Sequence, residues 1–166
     1  MRFLYLRHGK TEFSLNNKFM GRCDLPLLKT NCSEFKEAIS LIKDWKPSKV
    51  LYSPLLRAVE TKNIILNAVD IDQVIECDYL IERDFGSLEG KEKNEQNRKE
   101  IELCSSAESK SQFRERISTL LPVIKSNPNE SILIIGHSSF YREMMQIINP
   151  DRLDKIECCE VKVVEL

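Results

Sequence analysis

The chain has 166 residues, of which 42% are hydrophobic and 31% charged, and its formal net charge is -1. This length favours a single domain over residues 1–166, with a core of useful size, and the low glycine and proline content is unlike that of disordered or fibrous chains. The charge gives no basic field, so we expect neither nucleic acid nor membrane as a partner, and any anion site must be a local cluster of cations.

Targeting signals and cysteine usage indicate the compartment. The sequence contains no apolar run long enough to span a bilayer, and the N-terminus lacks the pattern of a secretory signal, so we expect a cytoplasmic protein. The six cysteines form no C-x-x-C pair, which favours free thiols over a zinc site in a reducing compartment. They are Cys23, Cys32, Cys77, Cys104, Cys158 and Cys159.

The first predicted element is a strand over the apolar run Phe3–Leu6. Such a run is typical of strands buried on both faces in parallel sheets. Arg7-His8-Gly9 follows it directly, at the strand end where open α/β sheets bind ligands. Taken alone, the tripeptide fits equally well a helix start with incidental polar residues. The segment from Lys10 to Leu27 shows no sustained period and predicts a long loop.

Apolar residues at helical spacing predict the next helix over Ser33–Trp45, and a strand follows over Lys49–Tyr52. Serine is favoured as a helix cap and proline at the first helical position, so Ser53-Pro54 predicts a helix that starts here and continues to about Ala68. This places Arg57 in the first helical turn, where its cation adds to the positive field of the helix end. The alternative is a solvated surface arginine.

The middle of the chain predicts a short strand over Gln73–Cys77 and a loop over Leu80–Gly90. The almost wholly polar segment Lys91–Glu102 predicts a solvated helix or a mobile excursion. Apolar residues at helical spacing then predict an amphipathic helix over Ser111–Lys125.

The clearest buried strand, Ser131–Ile135, leads into Gly136-His137-Ser138 and a predicted helix over Phe140–Ile148. The alternating tail Cys159–Leu166 predicts a last strand at an edge. Strands alternating with helices predict an α/β fold, a three-layer α/β/α sandwich around a mainly parallel sheet with one antiparallel edge strand.

In this fold Arg7, His8, Arg57 and His137 all come just after strands, on one edge of the sheet. The planar fork of arginine matches phosphate oxygens. Histidine, with an ordinary pKa of about 6.5, can act as a neutral nucleophile or a charged clamp. The four residues therefore predict a site for a small dianion.

Five motifs in order carry a resemblance to a known family. They are residues 6–11 (LRHGKT), 21–27 (GRCDLPL), 53–61 (SPLLRAVET), 82–90 (ERDFGSLEG) and 136–138 (GHS). Together they resemble the histidine phosphatase superfamily, the family of phosphoglycerate mutases and their phosphatase relatives.

The resemblance implies a mechanism that needs neither metal nor cofactor. His8 attacks phosphorus as a neutral imidazole and becomes a phosphohistidine. Arg7, Arg57 and His137 hold the phosphoryl oxygens. Glu82 matches the acid/base position and protonates the leaving oxygen. The alternative for Glu82 is an ion pair with Arg83.

Other residues enter the site by the same resemblance. Ser14 stands where much of the family has an asparagine that contacts phosphate, with Asn16 and Asn17 as alternatives. Gly21 retains a family glycine whose backbone approaches the ligand, and Ser138 beside His137 completes the predicted substrate-binding set. The rival carboxylates Asp84 and Glu89 rank below Glu82.

The resemblance favours the phosphatase branch. The region 91–110 lacks the paired arginines of the mutases, and residues 86–90 are closer to the phosphatase pattern. We predict a phosphomonoester hydrolase that releases inorganic phosphate from a small phosphorylated metabolite, either α-ribazole phosphatase-like or of broad specificity. The alternatives are a phosphoglycerate mutase-type phosphotransferase, a phosphohistidine protein phosphatase, and a non-catalytic module that binds phosphate compounds or proteins. Both a monomer and a homodimer remain open.

Overall fold

Five strands form one sheet in the computed structural model, which describes residues 1–29, 32–126, 129–151 and 154–166, without the side chain of Cys32. The strands are β1 (Arg2–Arg7), β2 (Lys49–Tyr52), β3 (Gln73–Glu76), β4 (Ile132–Gly136) and β5 (Val161–Glu165). Their order across the sheet is β3-β2-β4-β1-β5.

The sheet is parallel except at one edge. β1 pairs in parallel with β4, with Leu4 opposite Leu133 and Arg7 opposite Gly136. β2 pairs in parallel with both β4 and β3. The edge strand β5 runs antiparallel to β1. The predicted mainly parallel sheet with one antiparallel edge strand is confirmed.

Six α-helices connect the strands in the described residues. They are α1 (Glu12–Leu15), α2 (Lys36–Trp45), α3 (Leu56–Leu66), α4 (Glu95–Glu100), α5 (Lys110–Lys125) and α6 (Ser138–Ile148). Short 3-10 turns lie at Cys32–Phe35, Asp78–Leu80, Gly86–Leu88 and Ile101–Leu103.

The two faces of β1 bury different side chains, because successive residues of a strand point to opposite sides of the sheet. Phe3 and Tyr5 pack in one cluster with residues of α5 and α6, such as Phe113 and Phe140. The intervening Leu4 and Leu6 pack in a second cluster with residues of α2 and α3. Helices therefore cover both faces, which confirms the three-layer sandwich.

Two local predictions are wrong. The segment after Gly9 is not an unbroken loop, because it contains α1. The side chain of Thr11 caps this helix by accepting from the N–H of Ser14, and the Ser14 hydroxyl accepts from the N–H of Thr11. Ser53 does not cap α3, since Leu55 holds the cap position in extended conformation and the helix starts at Leu56. The hydroxyl of Ser53 instead bonds to a residue far away in the chain, as described below.

The segment predicted as a solvated helix or a mobile excursion forms α4 followed by a 3-10 turn. Of the two alternatives, the helix is the one observed for Glu95–Glu100. Ile101 anchors its end by packing with Phe19, Phe85 and Leu88 in a small buried cluster. The start of α6 also lies two residues before the predicted one.

Five cysteines have free thiols, as predicted, and the side chain of Cys32 lies outside the described residues. The described helices include none with the length and apolarity needed to cross a membrane.

Candidate active site

The pairing of β1 with β4 brings the two histidines together. The backbone N–H of His8 donates to the carbonyl of Gly136 at 3.0 Å, one residue before His137. The imidazole rings of His8 and His137 lie with their centroids 5.2 Å apart, and both residues are buried. The predicted convergence of two polar turns at one edge of the sheet is therefore present.

His8 is held as a neutral imidazole, and its second ring nitrogen makes no hydrogen bond with any residue that the structure describes. Its Nδ1 lies 2.7 Å from the carbonyl oxygen of Gly9, and because a carbonyl only accepts, Nδ1 carries the hydrogen. Burial lowers the pKa of His8 well below its ordinary value, and the positive charges of Arg57 and Arg7 lower it further. Nε2 thus keeps its lone pair at neutral pH, which is the state a nucleophile requires.

Arg57 lies in the first turn of α3 and is fully buried, so it is not a solvated surface arginine. Its Nη1 donates to the carbonyl of Cys23 at 2.8 Å and its Nη2 to that of Gly21 at 2.7 Å. Burial lowers its pKa to about 10, so it remains a cation at neutral pH. The buried Nε has no hydrogen-bond partner among the described residues.

Arg7 and His137 offer further donors. Arg7 donates from Nη1 to the carbonyl of Ile156 at 2.9 Å, and its Nε is buried without a partner in the described chain. The same holds for Nδ1 of His137. Because buried donors without acceptors are costly, three of them around one histidine indicate a site built for an anion with several oxygens.

Ser53 fixes the tautomer of His137. Its Oγ lies 2.7 Å from Nε2 of the ring, and the N–H of Leu55 donates to the same oxygen at 3.4 Å. Among the described residues Nε2 is the only acceptor for the hydroxyl hydrogen of Ser53, so we assign the serine as the donor to Nε2, and the hydrogen of the neutral ring is left on Nδ1. Burial, Arg57 and His8 lower the pKa of His137 well below its ordinary value, so we assign the neutral form with Nδ1 as a donor.

Tyr5 fixes the backbone of His137. Its hydroxyl accepts from the N–H of His137 and donates to its carbonyl, both at 2.9 Å. A side chain at Gly136 would place its Cβ 2.3 Å from this hydroxyl, so only glycine fits beside it. Burial raises the pKa of Tyr5 well above its ordinary value, and the hydroxyl remains a donor.

Glu82 lies at the N-terminus of α6. Its Oε1 accepts from the N–H groups of Arg83 and Phe140 at 2.9 and 3.1 Å, and its Oε2 accepts from Ser139 at 3.0 Å. Oε2 therefore retains capacity for a proton or a further donor. Arg116 supports the loop by donating to the carbonyls of Tyr79, Ile81 and Glu82.

The alternatives for the acid/base carboxylate have other roles. Glu82 contacts Arg83 through that residue's backbone amide, while the guanidinium of Arg83 pairs with Glu102 at 3.1 Å. Glu89 accepts from three backbone N–H groups of two loops. Asp84 accepts from the N–H of Gly86 at 2.7 Å. Glu82 is thus the carboxylate held against the turn that carries His137.

The three predicted substrate-binding residues differ in how they meet the site. Gly21 contributes the carbonyl that accepts from Arg57, and its φ of +50° suits glycine. Ser14 uses its hydroxyl in the cap of α1 and also lines a cavity of about 420 Å³, as does Asn17. Ser138 lines the same cavity, which also contains Arg7 and is called here the Arg7 cavity.

A second cavity of about 220 Å³ adjoins the first and is called here the Arg83 cavity after one of its lining residues. The two cavities share a wall formed by Lys93, Arg98, Ser138 and Arg142. Among the residues described, no group of three or more His, Cys, Asp or Glu side chains is arranged to hold a metal ion.

The sequence pattern predicts no site role for Ser53, Thr61 or Tyr5, although Ser53 and Thr61 lie within a quoted motif. Thr61 accepts from the N–H of Gly9 at 3.0 Å and donates to the carbonyl of Arg57 at 2.7 Å, so it links the His8 turn to α3. The sequence feature that could have indicated a role for Thr61 is its position four residues after Arg57, on the same helix face.

Comparison with known proteins agrees with this geometry. The family model of the histidine phosphatase superfamily (branch 1) matches residues 3–166. The chain therefore belongs to this superfamily, whose relatives below are named as a phosphatase and a mutase.

Two relatives illustrate the range of activities for which members of this superfamily are named. A protein of Bacillus subtilis (strain 168), described as the uncharacterized phosphatase PhoE, is 28% identical over 146 residues, covering 87% of this chain and 75% of that protein. The 2,3-bisphosphoglycerate-dependent phosphoglycerate mutase of Bifidobacterium longum (strain DJO10A) is 37% identical over 98 residues, covering 57% of this chain and 40% of that protein.

Solved structures share the fold. The α-ribazole phosphatase of Shigella flexneri superimposes with a TM-score of 0.83 at 18% identity, covering 100% of this chain and 91% of that one. At this identity the likeness concerns the fold alone.

Proposed function

We propose that this protein is a phosphomonoester hydrolase that acts on a small phosphorylated metabolite through a phosphohistidine at His8. The observation that carries the proposal is a buried, neutral His8 whose Nε2 is free, beside uncommitted donors of Arg7, Arg57 and His137. A neutral nucleophile among fixed positive donors suits attack on a phosphate dianion.

In the first step the lone pair of His8 Nε2 forms a bond to phosphorus and the ester P–O bond breaks. Arg7, Arg57 and Nδ1–H of His137 stabilise the oxygens of the transferring group. Glu82, protonated on Oε2, gives its proton to the leaving oxygen. The Nδ1–H of His8 keeps its hydrogen bond to the carbonyl of Gly9, and this hydrogen bond stabilises the positive charge that develops on the ring.

In the second step the same carboxylate acts as a base. Glu82 takes a proton from water as the water oxygen bonds to phosphorus, and the P–N bond breaks with its electron pair returning to Nε2 of His8. Inorganic phosphate leaves, and Glu82 is again protonated for the next turnover. Since arginine and histidine donors neutralise the charge in this scheme, we expect turnover in the presence of a chelator.

The first test is hydrolysis of p-nitrophenyl phosphate with EDTA present. We expect release of phosphate by the intact protein and loss of at least about 1,000-fold in His8→Ala, a size typical of removing a catalytic nucleophile. Absence of turnover by the intact protein would favour a non-catalytic binding module. Activity that EDTA removes would contradict the metal-independent scheme.

The second test identifies the covalent intermediate. Quenching with alkaline detergent during turnover of a ³²P-labelled substrate traps protein-bound phosphate, which is then incubated in acid and in alkali. A phosphohistidine is a phosphoramidate, so we expect the label to be lost in acid and kept in alkali. A label that is stable in acid would contradict His8 as the nucleophile.

A second candidate function is phosphoryl transfer of the phosphoglycerate mutase type. It is favoured by the 37% identity to the Bifidobacterium longum mutase over 98 residues. Incubation with 3-phosphoglycerate separates the two functions, because a hydrolase releases inorganic phosphate and a mutase forms 2-phosphoglycerate.

A further inference from the structure

Glu82 lies in an irregular stretch of chain, so its position depends on contacts from elsewhere. Residues 81–85, called here the Glu82 loop, form neither helix nor strand and connect two 3-10 turns, Asp78–Leu80 and Gly86–Leu88. The backbone groups of such a stretch need hydrogen-bond partners from other parts of the chain. A general acid must also come within hydrogen-bond distance of the leaving oxygen, and this requires a fixed backbone.

One arginine of α5 supplies partners to this backbone. Arg116 donates from Nη1 to the carbonyls of Tyr79 and Ile81, at 2.8 and 2.7 Å, and from Nη2 to that of Glu82 at 3.4 Å. Its Nε and Nη2 also donate to the two carboxylate oxygens of Glu108, at 3.0 and 2.8 Å. A guanidinium carries five N–H groups, and these five hydrogen bonds use them all within the protein.

Glu108 holds the other side of the same loop. Its Oε2 accepts from the N–H of Asp84 at 3.4 Å, and its backbone N–H donates to the carbonyl of Asp84 at 3.0 Å. Its own carbonyl accepts from Nε of Arg83 at 2.9 Å. Glu108 and Arg116 are joined to each other by an ion pair of 2.8 Å between largely buried side chains. The pair therefore holds the chain both before and after Glu82.

Helix α5 gives this pair a rigid support. Phe113 and Ile117, which flank Arg116 in the sequence, are buried in the core cluster that includes residues of β1 and β4. The guanidinium of Arg116 lies over the ring of Phe113, 5.1 Å from its centroid. A capping box at Ser109, directly after Glu108, fixes the start of the helix. Displacement of the Glu82 loop would thus break charged hydrogen bonds that are anchored in the core, which is costly.

We propose that Glu108 and Arg116 are a positioning pair for the acid/base function of Glu82. Because their side chains are bonded to the Glu82 loop and to each other, they act through Glu82 and not on the substrate. This inference rests on the proposed phosphatase reaction and adds two residues on which its proton transfer depends. It predicts that changes in the pair weaken proton transfer to the leaving group and spare the binding of phosphate.

The first measurement compares two leaving groups in Arg116→Lys and Glu108→Gln. Lysine keeps the positive charge but lacks the planar fork of arginine, whereas glutamine keeps the shape of Glu108 without its charge. We expect each variant to lose at least about fivefold more kcat/KM for ethyl phosphate than for p-nitrophenyl phosphate, because the basic ethoxide depends more on a well-placed acid. The two variants change opposite ends of one ion pair, so failure of one to fold leaves the other as the test.

Inhibition by inorganic phosphate distinguishes positioning of the acid from general damage to the site. We expect both variants to keep the inhibition constant of phosphate within about twofold, since phosphate binding involves no transferred proton. Weaker inhibition by phosphate in proportion to the loss of activity would show damage to the whole site and would overturn the proposal.

Arg114 provides a matched control on the same helix. It lies two residues before Arg116 and forms its own ion pair with Glu143 at 2.8 Å. Any loss in Arg114→Lys should be equal for the two leaving groups. Arg116→Lys should also add no further leaving-group difference to Glu82→Gln, because the transferable proton is already absent there. A selective loss that also appears in Arg114→Lys, or that is added in full to Glu82→Gln, would overturn the proposal.

Hydrogen exchange tests the pair without turnover. The Glu82 carboxylate accepts from the N–H groups of Ser139 and Phe140 at 3.0 and 3.1 Å, so the exchange of these two amides reports where the carboxylate lies. We expect both amides to exchange at least about fivefold faster in Arg116→Lys and Glu108→Gln than in the unchanged protein, and at an unchanged rate in Arg114→Lys.

The two measurements separate this inference from the proposed hydrolysis. If the esters are hydrolysed but neither the leaving-group difference nor the exchange changes in the variants, the positioning inference fails and the phosphatase function stands. If neither ester is hydrolysed but the exchange changes as expected, the phosphatase function fails and the pair stands as the support of Glu82. If hydrolysis and the change in exchange are both absent, both fail.

Discussion

The hydroxyl oxygen of Ser53 lies 2.7 Å from Nε2 of His137, which links the end of β2 to the end of β4 within the sheet. Both side chains are fully buried, so water cannot replace this contact without rearrangement. The hydrogen bond decides which nitrogen of the neutral ring carries the proton. It therefore decides whether His137 presents a donor or a lone pair to a bound anion.

Replacement of Ser53 tests this relationship. We expect Ser53→Ala to lower kcat/KM for p-nitrophenyl phosphate by roughly 10–100-fold, the range seen when the partner that orients a functional histidine is removed. Phosphate, used as a competitive inhibitor, should bind more weakly to the variant, because the ring can then adopt the tautomer with a lone pair at Nδ1. Urea unfolding serves as the control for stability. Unchanged inhibition by phosphate would contradict the tautomer assignment.

The proposed acid role of Glu82 predicts a dependence on the leaving group. Glu82→Gln removes the transferable proton, so we expect a larger loss on alkyl phosphates, whose leaving oxygen is basic, than on p-nitrophenyl phosphate. The difference between the two losses should be about tenfold or more, within the 10²–10⁴-fold that acid–base catalysis contributes. The measurement is kcat/KM for both substrates.

Asp84→Asn provides the comparison for Glu82, since Asp84 is a nearby carboxylate that accepts from the N–H of Gly86. Any loss in this variant should be the same for both leaving groups. Equal losses in Glu82→Gln would count against Glu82 as the acid. Because the amide of glutamine must face one of three N–H donors, unfolding of this variant is measured alongside.

The two buried histidines predict how stability depends on pH. Their pKa values in the folded protein lie well below the ordinary value, chiefly because of burial. The unfolded state therefore binds more protons just below about pH 6.5, and the free energy of unfolding falls as the pH is lowered through this region. Each histidine contributes at most about 1.4 kcal/mol per pH unit, and above about pH 6.5 the contribution is complete.

Urea unfolding at several pH values between about 7 and 5 tests this dependence. We expect the free energy of unfolding to change less with pH in His8→Asn and in His137→Asn than in the unchanged protein. Each variant removes one group that, in this pH range, takes up a proton only in the unfolded state. A slope that neither substitution alters would show that His8 and His137 are not responsible.

Alanine substitutions at Gly21 and Gly90 distinguish the stability cost of backbone strain from that of a steric clash. Both have positive φ, +50° and +84°. A Cβ at Gly21 would lie 1.9 Å from the Glu89 carboxylate, whereas at Gly90 the nearest heavy atom, of Phe13, is 3.6 Å away. Gly21→Ala should thus cost more stability than Gly90→Ala, whose strain alone costs about 1–2 kcal/mol. Gly21→Ala should also lower activity by moving the carbonyl that holds Arg57.

Urea unfolding and kcat/KM for p-nitrophenyl phosphate are measured for both alanine variants. Equal destabilisation by the two substitutions would show that the loop at Gly21 absorbs the contact with Glu89.

Much of the fold could be predicted from local patterns. Phe3–Leu6 and Ile132–Ile135 are short apolar runs, and burial on both faces follows from that composition. The helix α5 has a regular apolar face and a capping box between Ser109 and Gln112. Histidines directly after two such strands then meet because parallel strands end at the same edge of the sheet.

The remaining features depend on contacts between distant residues. Ser53-Pro54 has the composition of a helix start, yet the serine hydroxyl bonds to His137, 84 residues away. Lys93 and Arg98 lie in a polar segment without a pattern, and contacts with distant residues bring that segment against the site, among them the packing of Ile101 and the hydrogen bond from Lys93 N–H to the carbonyl of Asn17. The position of Arg142 on the shared cavity wall likewise depends on where α6 begins.

The order of strands in the sheet has a consequence for biosynthesis. β1 is hydrogen-bonded only to β4 and β5 within the described sheet, and both are formed by residues after position 131. Of the five strands, β1 is synthesised first. Its backbone therefore stays unpaired and its apolar side chains stay exposed until the residues after position 131 have been made. Such a nascent strand is prone to aggregation and benefits from chaperones. Since His8 meets His137 only through this late pairing, phosphoryl chemistry by a ribosome-bound chain would report completion of the sheet.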